Sequence, residues 1–230
     1  MRIQGFIFNW VGYESKALQL EKKIDRHIDI HVVNSDASLV DKYPHWIHLD
    51  DSAYFSAQWN RALEIFNADI FFHIQADADY DRFEILIEKA ESLFKKHRLG
   101  IYEPNVDYTD VMYDISKLAP IETNVYETPL SDCTCWFIAG EVLRRFSPID
   151  VSVNKYGWGV TRVTSSLCRM DDRLCVRDYN VTVNHPKGRG YSSSAAMRQL
   201  EQYVLSLSPE IRREIYKLEQ HRVRLQFKPY

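Results

Sequence analysis

Ile70-Phe71-Phe72-His73-Ile74-Gln75-Ala76-Asp77-Ala78-Asp79 is the stretch on which the fold turns. An apolar run too short for a buried helix ends abruptly in two carboxylates at i and i+2. Such a run predicts a strand covered on both faces, as in a parallel α/β sheet. Ligands of these sheets bind just beyond the carboxyl ends of the strands, where Asp77 and Asp79 fall. Two carboxylates there repel each other unless a cation sits between them, and hard oxygen donors suit Mg²⁺ or Mn²⁺. The spacing by itself fits a solvated acidic turn equally well.

The order of elements around this strand supports the same class. Arg2 to Phe8 form an apolar strand, and Glu14 to Ile24 carry helical spacing through Ala17, Leu18, Leu20 and Ile24. Ile30 to Val33 form a second strand ending at Asn34-Ser35-Asp36, and Trp46 to Leu49 a short third one. Helices are expected over 52–66 and 81–97, and a further strand begins at Leu99. This alternation describes βαβ units and a parallel sheet. Residues 104–138 lose the rhythm and read as shorter strands and loops. Helices are expected again over 194–206 and from Ser208-Pro209 onward, with Leu200, Tyr203, Val204, Leu207, Ile211, Ile215 and Leu218 inward.

Composition narrows the function classes. The 230 residues hold 45% hydrophobic and 27% charged side chains, as expected of one globular core. A net charge of −3 gives no general reason to expect nucleic acid. From Lys187 onward, however, nine Lys and Arg stand against four Glu, a local excess of +5. This reads as a solvated helix face, with weak contact to a membrane or an anionic partner as the other use. Four cysteines match no zinc spacing and are few for a disulfide scaffold, and no stretch reads as a membrane span or signal segment. A cytoplasmic protein, peripheral to the membrane at most, is expected. Neither G-x-G-x-x-G nor a Walker A sequence occurs, so dinucleotide and P-loop chemistry are unsupported.

Several residues fall where chemistry is expected. Asp36 follows the second strand and serves either a uracil or ribose hydroxyl or a simple turn. His185 ends a strand before Pro186-Lys187-Gly188-Arg189-Gly190-Tyr191. A neutral imidazole there can complete an Asp/His metal site, while Lys187 and Arg189 can neutralise a diphosphate. Trp158 stands between Gly157 and Gly159, either as a stacking face on a mobile loop or as a buried anchor at a turn. Asp132, ahead of the apolar run Cys135-Trp136-Phe137-Ile138, is a candidate general base.

In order, Asn34-Ser35-Asp36, Gln58-Trp59-Asn60-Arg61-Ala62-Leu63, Ala76-Asp77-Ala78-Asp79, Ser131-Asp132, Tyr156-Gly157-Trp158-Gly159 and Arg177-Asp178 through His185 to Tyr191 resemble the GT-A-fold glycosyltransferases, especially small family 2-like enzymes. The resemblance spans residues 3 to 191. It implies an α/β GT-A (Rossmann-like) core over 1–191, with a mostly parallel central sheet. Residues 192–230 become a C-terminal helical extension packed on that core. It also implies a nucleotide-sugar donor, a UDP-sugar favoured, held through Mn²⁺ or Mg²⁺. Asp77, Asp79 and His185 would be the metal ligands, Asp79 the more direct one, and Asp36 and Asp77 would lie against the nucleotide. Lys187, Arg189 and Tyr191 would close on the diphosphate, and Trp158 would shape the pocket. Asp132 would serve as base in an inverting transfer to a glycan or other hydroxyl acceptor. One departure stands out: Gly159-Val160-Thr161-Arg162 lacks the acidic residue that commonly follows Gly-Trp-Gly. A GT-A-like binding module and a nucleotidyltransferase are therefore the other function classes considered.

Overall fold

The computed structural model describes residues 1–107, 117–186 and 191–226, with side chains to residue 220. Its centre is a nine-stranded sheet in the order β3-β2-β1-β4-β8-β5-β9-β7-β6. These strands are β1 (Ile3–Trp10), β2 (Asp29–Ser35), β3 (Ile47–His48), β4 (Ile70–Gln75), β5 (Leu99–Val106), β6 (Pro120–Glu122), β7 (Val125–Glu127), β8 (Cys135–Ala139) and β9 (Leu174–Val183). The pairings give seven strands one direction, and only β7 and β8 run the other way. The helices are α1 (Glu14–Ile24), α2 (Phe55–Ile65), α3 (Phe83–Lys96), α4 (Gly140–Leu143), α5 (Val160–Met170), α6 (Ser193–Ser206) and α7 (Pro209–Gln226).

The unbroken apolar run of β4 follows from burial on both faces. Ile70, Phe72 and Ile74 pack on one side with Ala17, Leu20 and Ile24 of α1 and Phe83, Leu86 and Ala90 of α3. Phe71 points the other way, into a layer with Trp59 of α2, Trp136 of β8 and Val160, Val163 and Leu167 of α5. Strand β1 alternates in the same sense, Ile3 and Ile7 against Phe6 and Phe8. Three layers result, helices on each face of the sheet. The C-terminal helices join the second face: Leu200, Tyr203, Ile215 and Leu218 are buried, while Val204, Leu207 and Ile211 are partly so. Glu214 and Glu219 of α7 pair with Arg169 and Arg162 of α5 at 3.1 and 2.6 Å. These pairs engage the segment's own acidic residues with cations of the core, so they do not neutralise its excess of Lys and Arg.

Two elements are shorter than their sequence patterns suggest. Strand β3 keeps only Ile47 and His48, and α2 starts at Phe55 because Ser52 and Ala53 turn back on Asp50, the Ala53 N–H donating to the Asp50 carbonyl. No helix among the described residues is long and apolar enough to cross a membrane. The four cysteines are unpaired.

Candidate active site at the carboxyl edge of the sheet

Strand direction decides which residues meet. The carboxyl ends of β1, β2, β4, β5 and β9 lie along one edge, and antiparallel β8 begins there. That edge therefore carries Asn9, Asn34 to Asp36, Asp77 to Asp79, the segment Leu130 to Thr134, and Asn184 to His185.

The β1–β2 side of this edge is built from amides. Asn9 Nδ2 donates to Asn34 Oδ1 at 2.7 Å, and Asn34 Nδ2 to the Asp36 carbonyl at 2.8 Å. Gln58, reaching in from α2, donates to the carbonyls of Asn9 and Val33 at 2.7 and 3.1 Å. Buried polar groups at strand ends are thus bonded to one another and shape the loops. Asp36 is buried and caps a short turn, its Oδ1 accepting from the N–H and hydroxyl of Ser38 at 3.1 and 2.5 Å. The turn reading of Asp36 thus has its geometry here, with Oδ1 serving the turn.

Asp77 and His185 come together. Asp77 Oδ1 lies 3.1 Å from His185 Nε2, both side chains about one-tenth exposed. His185 Nε2 is also 3.4 Å from Gln75 Oε1. Burial lowers the basicity of His185, but the neighbouring Asp77 carboxylate outweighs it and raises the pKa, with Asp132 adding in the same sense. A buried carboxylate oxygen beside an imidazole nitrogen is a donor pair that fits a divalent cation. Two ligands at about 2.1 Å in adjacent octahedral positions are separated by about 3.0 Å. Asp79 is joined to this group through its backbone: its N–H donates to the Asn184 carbonyl at 2.7 Å, and Asn184 N–H returns a bond of 3.0 Å. The Asp79 side chain is exposed, and among the described residues no three His, Cys, Asp or Glu side chains converge as a ready-made cage. The pair fits an ion whose remaining positions are filled by water and phosphate, as Mg²⁺ and Mn²⁺ sites commonly are.

Asp132 sits beside this pair and is buried. Its Oδ1 accepts from Thr134 N–H at 2.7 Å, and its own N–H donates to Glu103 Oε2 at 2.5 Å. Glu103 forms a fully buried ion pair with Arg177, at 2.7 and 2.9 Å. Burial pushes Glu103 up to about 7 against the pull of Arg177, whose own pKa is raised. Sequence reading gave this pair no role. The available signal was a charged residue in the buried part of each strand, Glu103 after Leu99-Gly100-Ile101-Tyr102 and Arg177 after Leu174-Cys175-Val176.

Trp158 and Tyr191 form a second group. The indole Nε1 donates to the Tyr191 hydroxyl at 2.9 Å, and the Tyr191 ring stacks on Tyr156 at 4.5 Å. The neighbouring glycines serve a tight turn rather than a mobile loop. Gly157 and Gly159 have φ of +76° and +101°, and a Cβ on either would collide with Phe55 or Leu200. Buried Asn154 pins the turn from both ends, through the Gly157 N–H and the Trp158 carbonyl. Thr161 lies in the first turn of α5, half-buried. Lys187 and Arg189 lie outside the described residues.

No protein-family profile matches the sequence, and neither does any curated protein. Solved structures do resemble the fold. S. aureus TarS 1–349 in complex with UDP-GlcNAc matches with a TM-score of 0.60 and 11% identity over 99% of this chain and 73% of its own. The mannosyltransferase PcManGT from Pyrobaculum calidifontis, with GDP-Man and Mn²⁺, gives 0.61 and 15% over 96% and 69%. Glucosyl-3-phosphoglycerate synthase from Mycobacterium tuberculosis, with Mn²⁺, UDP and phosphoglyceric acid, gives 0.58 and 13% over 89% and 78%. The chain has the GT-A fold of the nucleotide-diphospho-sugar transferases.

Proposed function

We propose that the protein is a metal-dependent glycosyltransferase that takes a sugar from a nucleotide-sugar donor, a UDP-sugar favoured, to an acceptor hydroxyl. The observation that carries this reading is the meeting of Asp77, His185 and Asp132 at one sheet edge, beside the amide-lined end of β1 and β2. Asp77 and His185 would hold Mn²⁺ or Mg²⁺, with Asp79 contributing from the same loop; the ion supplies charge neutralisation at a leaving diphosphate. Asp36 and the Asn9–Asn34 loops shape the nucleotide end, while Trp158, bonded to Tyr191 of the diphosphate loop, walls the sugar side. Lys187 and Arg189 keep their proposed place at the diphosphate.

Asp132 is the base. Its carboxylate takes the acceptor hydroxyl proton as the acceptor oxygen bonds the anomeric carbon. The bond from that carbon to the diphosphate breaks, its electron pair leaves with the nucleoside diphosphate, and configuration inverts. Ordering donor and acceptor in one geometry supplies much of the remaining acceleration. A non-catalytic sugar-nucleotide or glycan-binding role is the second reading, and Thr161 after Gly-Trp-Gly is the feature that favours it. A thermal-shift series with UDP, GDP and their sugars, each with Mn²⁺ or EDTA, tests donor binding. Stabilisation that needs both nucleotide and Mn²⁺ supports the proposal, and its absence in folded protein opposes it.

A further inference from the structure

Glu103 and Arg177 occupy facing positions of the parallel pair β5 and β9. Both are essentially without solvent exposure, and their side chains meet in two contacts of 2.7 and 2.9 Å. A buried ion pair contributes little net stability compared with apolar residues of similar size, so stability alone does not account for it. Its remaining bonds indicate another use. Glu103 Oε2 accepts the Asp132 N–H at 2.5 Å, and Arg177 Nη2 donates to the Leu130 carbonyl at 3.4 Å. The turn Leu130 to Asp132 is therefore held at both ends by one pair anchored in two strands. Its third point is the Asp132 side chain, whose Oδ1 accepts from Thr134 N–H.

We infer that Glu103, held by Arg177, is a positioning residue that fixes Asp132 in its catalytic orientation from beneath the site. This rests on the reading of Asp132 as the base. The buried pair does not touch substrate; it acts through the backbone of residues 130–132. A residue on a turn at the sheet edge would otherwise sample several orientations, and a shift of about 1 Å costs on the order of 10²-fold in rate. The sheet supplies the rigidity that the loop lacks.

Replacing one partner strands a buried charge and risks unfolding, so two neutral double variants are compared. E103Q/R177M keeps a side-chain carbonyl for the Asp132 N–H, whereas E103L/R177M removes it. The first readout is hydrogen exchange of the Asp132 amide by mass spectrometry or NMR, which needs no turnover. The second is kcat and KM for UDP-sugar or GDP-sugar hydrolysis with Mn²⁺. Relative to E103Q/R177M, E103L/R177M is expected to exchange the Asp132 amide at least about tenfold faster. Its kcat is expected to fall about 30-fold or more, with donor KM within about twofold. Equal exchange in the two variants, or equal kcat per folded molecule, would overturn the inference. If the wild-type protein turns over no donor, the base assignment fails, and amide exchange still decides whether Glu103 holds Asp132.

Discussion

Asp79 and Asn184 exchange two backbone hydrogen bonds, 2.7 and 3.0 Å, across strands that are not neighbours. The loop after β4 thereby reaches over the edge of β8 and β5 to the end of β9. This bridge brings Asp77 within 3.1 Å of His185 and places both beside Asp132. Backbone pairing thus assembles the acidic group, and the side chains follow.

Asp77→Asn and His185→Ala each remove one of the two converging donors. Loss of an outer partner of a metal site already costs about 10–100-fold in affinity, and a direct ligand costs no less. Isothermal titration of Mn²⁺ with UDP is expected to show that loss in both variants, with unchanged circular dichroism. Wild-type affinity in either would remove that residue from the site.

Asp132→Asn keeps the shape of the side chain and an acceptor for Thr134 N–H while removing the base. Turnover is expected to fall by about 10²–10⁴-fold. Nucleotide binding, measured by thermal shift with Mn²⁺, is expected to stay within about twofold because the proposed role of Asp132 is toward the acceptor. Undiminished turnover would move proton removal to another group.

Gly157→Ala forces a side chain into φ of +76° and against Phe55. Strain of this kind costs about 1–3 kcal/mol, which lowers Tm by roughly 2–12 °C in a chain of this size. Differential scanning calorimetry reads the shift directly, and an unchanged Tm would contradict the packing described for this turn.

His73 sets an acid limit on stability. It is fully buried on β4 between Phe8 and Phe55, and its Nδ1 accepts from Trp136 Nε1 at 3.2 Å. Burial holds its pKa down to about 3, below the usual 6.5. The unfolded chain therefore takes up the proton first. This contribution is complete above pH 6.5 and is lost progressively as pH falls toward 3. Between pH 6.5 and 5 the loss reaches roughly 2 kcal/mol at about 1.4 kcal/mol per pH unit. Urea denaturation is expected to show this slope, and His73→Gln, which keeps an acceptor for Trp136, is expected to flatten it. An equally steep profile in the variant would assign the slope to other groups.

Much of the sheet was legible in the sequence because burial on both faces requires contiguous apolar residues, as in Ile70 to Ile74 and Phe6 to Phe8. Asp77 and His185 were legible as strand-end residues, and the family resemblance set them at one ion; no local pattern shows their contact, since Gln75 and His185 of the same cluster stand 110 residues apart. The Glu103–Arg177 pair, 74 residues apart, was invisible for a similar reason. Nothing local in either strand marks the two as partners, and only the β5–β9 register brings them opposite. The two readings of the glycines beside Trp158 stayed open because a flexible glycine and one required by a left-handed turn look identical in sequence. Phe55 and Leu200, the residues that crowd them, lie far away along the chain.

The most direct measurement of the central claim is nucleoside diphosphate release from a panel of UDP- and GDP-sugars, followed by chromatography. With Mn²⁺ present, release from one donor class is expected, abolished by EDTA and reduced at least about 10²-fold by Asp132→Asn. No release from any donor by folded protein that nevertheless binds nucleotide and Mn²⁺ would contradict catalysis and leave a sugar-nucleotide-binding protein.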